Sequence, residues 1–121
     1  METVNYRDLK VWQASNDLAA FIIRMADTFQ GPASRELASQ LADCAIALVT
    51  GIAVASEEPD REKKILGLDK AISHTLVLEN LVFLSARMNL LQEKLLGNTF
   101  QVLLEIRKLL NELLAQVNDS K

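Results

Sequence analysis

The chain has 121 residues, 13 of them basic and 16 acidic for a net charge of −3, and half of them are apolar. That length suits one domain with a real hydrophobic core. The acidic balance argues against a general affinity for phosphate backbones, and four glycines with two prolines leave too few turn residues for an all-β fold. The single cysteine, Cys44, allows no intramolecular disulfide and no thiolate metal cluster, which suits a reducing cytosol. The opening "METVNYRDLKVWQ" lacks the basic-then-apolar pattern of a signal peptide, so a cytoplasmic location is expected.

Helical periodicity runs through four segments with short breaks between them. The first covers residues 6–29 and stops at Gln30-Gly31-Pro32, where glycine ends one helix and proline opens the next. Two apolar stripes run along it at 100° per residue. One is Leu9, Trp12, Ala19, Ile23 and Ala26; the other is Val11, Leu18, Ile22, Met25 and Phe29. Together they span roughly 200°, twice what a single core-facing stripe needs. Periodicity alone leaves open which stripe faces inward.

The second segment covers 32–57. Within it, residues 37–56 carry one charge, Asp43, and raise the question of a membrane span. Alanine and serine are frequent, Thr50 and Gly51 interrupt the run, and neither an aromatic belt nor basic flanks are present, so no span is expected. Leu37, Leu41, Cys44, Leu48 and Ile52 form a core stripe, whereas Ile46, Val49 and Val54 point elsewhere. Apolar surface beyond what one bundle can cover marks a partner interface. The expected subunit interface is Val11, Leu18, Ile22, Met25, Phe29, Ile46, Val49 and Val54.

Pro59 ends this segment and Asp60 can cap the third, residues 60–88, with Asn89 as a left-handed terminus. Ile65, Leu68, Ile72, Leu76, Phe83 and Ala86 form its expected core face, widened by Leu78, Leu81 and Val82. The fourth covers 91–117, with Leu96, Phe100, Leu103, Leu110, Leu113 and Val117 inward and Gly97-Asn98 as a weak point. Short links between long helices favour antiparallel neighbours, hence an all-α, up-down-up-down four-helix bundle in one domain.

Candidate chemistry is sparse. Glu79 falls within the apolar stripe, where it needs a hydrogen-bond partner; the Trp12 indole and the Thr50 hydroxyl are candidates, and a structural contact is the expected role. His74 is the only histidine and has no companion ligand at helical spacing. Cys44 reads as a small buried apolar group. No phosphate loop or nucleophile elbow occurs. The basic residues Arg61, Lys63 and Lys64, with Arg107 and Lys108 on the last helix, are the candidates for contacting nucleic acid.

"YRDLKVWQ", residues 6–13, resembles the opening signature of the four-helix-bundle proteins encoded in intervening sequences of bacterial 23S ribosomal RNA genes, also labelled ribosomal protein S23. A second family signature, Q-L-R-R-A-x-x-S-I-x-x-N-I-A-E-G, is matched at Gln40, Leu41, Ile52 and Ala53. Leu78-Glu79 and "EIRKLL", residues 105–110, are similar to the last two helices. The accessory variability proteins of diversity-generating retroelements share this fold. The resemblance implies a barrel-like homopentamer and, among retroelement members, basic surfaces for nucleic acid and reverse transcriptase. Here the paired basic residues are replaced by Ala42 and Asp43, and the asparagine, glutamate and glycine by Gly51, Val54 and Ala55. The reading is therefore a non-enzymatic, self-assembling scaffold with no cofactor and no metal. The alternative is a nucleic-acid-binding accessory protein.

Overall fold

A computed structural model describes residues 5–119 as four helices, with no strand among the described residues. A 3-10 turn, Tyr6–Asp8, leads into α1 (Lys10–Ala26), followed by α2 (Pro32–Ser56), α3 (Arg61–Arg87) and α4 (Glu93–Asp119). The first helix starts later than its periodicity suggests. Asn5 accepts from the Arg7 amide at 3.0 Å, the Gln13 side chain donates to the Arg7 carbonyl at 2.9 Å, and Leu9 is extended between turn and helix. It also stops three residues early, where the Thr28 hydroxyl takes the Met25 carbonyl at 2.7 Å.

The helix ends follow their local chemistry. Gly31 holds φ at +100°, a conformation strained for any side chain, and Pro32 opens α2 behind it. Asp60 caps α3 by accepting from the Lys63 amide at 3.0 Å. At the other end Asn89 is left-handed at φ 61°, the Leu90 amide reaches back to the Ser85 carbonyl and the Asn89 amide to that of Ala86. This is a Schellman termination with asparagine in glycine's usual place. Gly97-Asn98 does not interrupt α4.

Each helix packs against two neighbours: α1 against α2 and α4, α3 against α2 and α4. The residue pairings run in opposite senses along each seam. Ala55 meets Gly67 and Cys44 meets His74 between α2 and α3; Arg61 meets Val117 and Phe83 meets Phe100 between α3 and α4. Neighbours are therefore antiparallel, in the up-down order. At the centre lie Ile22, Leu41, Leu48, Ile52, Leu68, Leu78, Leu103, Ile106 and Leu110, all fully buried. Each contributes about 1.5–3 kcal/mol by leaving water. The expected core stripe of α2 is buried throughout.

Two expectations about helix faces need correcting. Val11, Leu18, Ile22 and Met25 lie inside the chain's own core, and so does Val49, so none of these can meet a neighbouring subunit. Phe29 is half-buried against the same core. The reason is geometric: α1 sits between two helices, and covering two neighbours takes a wider apolar arc than one stripe supplies. Of the expected interface, Ile46 and Val54 remain exposed. On α3 the inward face is Leu68, Ala71, Thr75, Leu78, Val82 and Ser85, whereas Leu76 and Phe83 are about half exposed. Large apolar residues surround α3, so its phase could not be read from hydrophobicity. The buried Thr75 and Ser85 hydroxyls are satisfied by carbonyls of their own helix, at 2.6 and 2.7 Å.

Candidate interaction surfaces

Glu79 does find a partner, but not one of those expected. The Arg107 guanidinium donates to its carboxylate at 3.0 Å, and the two side chains are only 16% and 20% exposed. Arg107 also reaches the Thr75 hydroxyl at 3.5 Å. Trp12 instead lies edge-on to Tyr6, with ring centroids 5.2 Å apart, and the Thr50 hydroxyl donates to the Ile46 carbonyl. The contact ties α3 to α4.

That pairing withdraws Arg107 from the basic candidates, and two others are similarly engaged. Arg61 donates to the Val117 and Asn118 carbonyls at 3.2 and 3.0 Å, satisfying the open end of α4 where its dipole is negative. Lys64 donates to the Ser56 carbonyl at 3.0 Å and closes the end of α2 in the same way. Lys63 and Lys108 are exposed. Arg107 stands ten residues before Val117, about 15 Å along α4 from the Arg61 contact. The five cations thus do not form one compact patch; three of them hold helix ends and seams.

Cys44 and His74 share the α2/α3 seam. The Cys44 thiol donates to the His74 carbonyl at 3.4 Å, and burial pushes its pKa upward. That shift is opposite to what an activated thiolate needs. The His74 Nδ1 is buried without a hydrogen-bond partner and borders a groove of about 360 Å³ between α2 and α3. The Ser15 hydroxyl, fully buried in α1, has no partner either.

What the surface does present is hydrocarbon. Along the α2/α3 side, Val54 is 70% exposed and Leu66 62%. On α3 and α4, Leu104 is 52% exposed and Leu76 and Phe83 are about half exposed, and the Phe83 and Phe100 ring centroids lie 4.2 Å apart. A shallower groove of about 410 Å³ lies between α1 and α4, lined in part by Asp17, Phe21, Leu95 and Val102. Leu66 was not singled out by periodicity. A leucine off the main stripe was the only available signal, and on a helix with apolar residues on several faces such a residue looks like a broader core.

The fold and its surfaces define a small four-helix bundle whose exposed features are apolar helix flanks rather than a polar cleft. Within that class the chain belongs to the 23S rRNA-intervening sequence protein family, whose model matches residues 7–112. Neither the comparison with curated proteins nor that with solved structures returned a match.

Proposed function

We propose that this protein is a non-enzymatic interaction scaffold that assembles from several copies of itself, five in the arrangement the family resemblance implies, and that it works in the cytoplasm. The observation that carries the reading is the amount of large apolar side chain left outside a core that is already complete. Val54, Leu66, Val77, Phe83, Leu84 and Leu104 are each about half exposed or more while the central residues are at or near zero. Apolar surface exposed in this amount on a small bundle supports a protein interface. Among the described residues α2 is the helix long and apolar enough to cross a membrane by length and composition, with a mean hydropathy of 1.7 over its richest window. Its packing between α1 and α3, with nine residues buried, supports a bundle role instead.

Light scattering at micromolar concentration tests the proposal. A mass several times 13.5 kDa is expected; a single-chain mass across that range overturns it.

Nucleic-acid binding is the second reading, supported by exposed lysines on α3 and α4. Its base is narrow, since Lys63 and Lys108 are the candidate cations not committed to a helix end or seam. A salt-dependent gel shift with RNA or DNA, lost on changing Lys63 and Lys108 to glutamate, would put it first.

A further inference from the structure

The polar contacts between helices leave one helix out. Arg107 ties α4 to Glu79 of α3, Arg61 ties α3 to the end of α4, and Lys64 and Cys44 cross between α2 and α3. Among the described residues, no hydrogen bond or ion pair joins α1 to another helix; its Gln13 side chain donates back to the Arg7 carbonyl ahead of it. The first helix is also the shortest, 17 residues against 25 or 27, and Leu9 gives its start no side-chain cap. Its Ser15 hydroxyl is fully buried with no partner. Open grooves flank it on both sides, about 410 Å³ against α4 and about 430 Å³ against the start of α2.

Apolar burial alone does not set α1 apart from the other terminal helix. It buries Val11, Leu18, Ile22 and Met25, while α4 buries Leu103, Ile106 and Leu110 with half-buried leucines packed beside them. Polar contacts decide between the two. Undocking α4 gives up the charged contacts of Arg61 and Arg107, whereas undocking α1 returns an orphan hydroxyl to water.

We infer that α1 is a detachable cover: it undocks as one unit from the turn at Gly31, while α2, α3 and α4 stay joined. A lone helix of 17 residues is marginal in water, so the undocked segment unravels and the inner faces of its two neighbours are laid open. Ser15 is the weakness built into the contact, because its hydroxyl is satisfied only when α1 is out. The inference goes beyond the assembly proposed above and concerns each copy by itself.

Hydrogen exchange of the full chain under native conditions, followed at rising urea, tests this. Amides at 14–24 should share one urea-dependent opening, populated about tenfold or more above the opening that exchanges 41–52 and 68–82. Ser15→Ala should slow exchange in α1 by about tenfold, because the unpaired hydroxyl is gone. Arg107→Met weakens a seam that stays closed when α1 is out, so it should speed exchange in α3 and leave α1 unchanged. Equal protection in α1 and α3 overturns the inference. So does an α1 that follows α3 in the Arg107 variant, since both results mean that α1 opens only with the whole bundle. Exchange in α1 without urea dependence overturns it as well, because fraying exposes little surface. A Ser15→Ala chain with unchanged exchange in α1 overturns the role given to the hydroxyl.

Discussion

At position 107 one guanidinium holds two residues of α3, and its removal would leave Glu79 largely buried without a charge partner. The geometry therefore gives unequal costs to removing one group or both. Arg107→Met should lower stability by about 2 kcal/mol, because an uncompensated carboxylate is left in the seam. Adding Glu79→Leu should recover most of that loss, since a matched apolar pair fills the same space. Urea midpoints of the two single variants and the double variant measure this. Additive effects would mean that the pair contributes no coupling. The same contact explains why neither residue presents itself as chemistry: each is occupied by the other.

Among the elements, α2 and α3 make the closest approach in the bundle's seams that can be tested by one methyl group. A Cβ built on Gly67 would lie 2.8 Å from the Ala55 Cβ, and both atoms are fixed to backbone. Gly67→Ala gains about 1 kcal/mol in helix propensity but forces the helices apart, at a cost of about 1–3 kcal/mol. A net loss of stability is expected. Gly97→Ala, with nothing within 4 Å of its added methyl, should instead gain close to the full propensity difference. Thermal melts of the two variants should move in opposite directions. A stabilised Gly67→Ala would show that α2 and α3 have room to spare.

For the molecule as a whole, the burial of α1 changes which substitutions report on association. Ile22 is fully buried in its own chain, so Ile22→Asp should unfold the bundle by placing an unpaired charge in the core. Val54→Asp falls on a side chain 70% exposed and should leave folding nearly unchanged. Circular dichroism separates the two at once. Val54→Asp changes light scattering only if that surface is covered by a partner.

The sequence by itself determined the number of helices, most of their ends and the core face of α2. Those features are local: Gly31-Pro32, Asp60 and Asn89 act on their own backbone, and the α2 stripe is regular enough to give its phase. The family was legible from the signature at residues 6–13. The facing of α1 and α3 was decided only by the tertiary structure. A helix between two neighbours buries a wide arc, and a helix with large apolar residues on several faces shows no single phase until others pack against it. The partner of Glu79 was settled there too, because Arg107 lies 28 positions away and only the antiparallel register of α3 and α4 brings the two charges together.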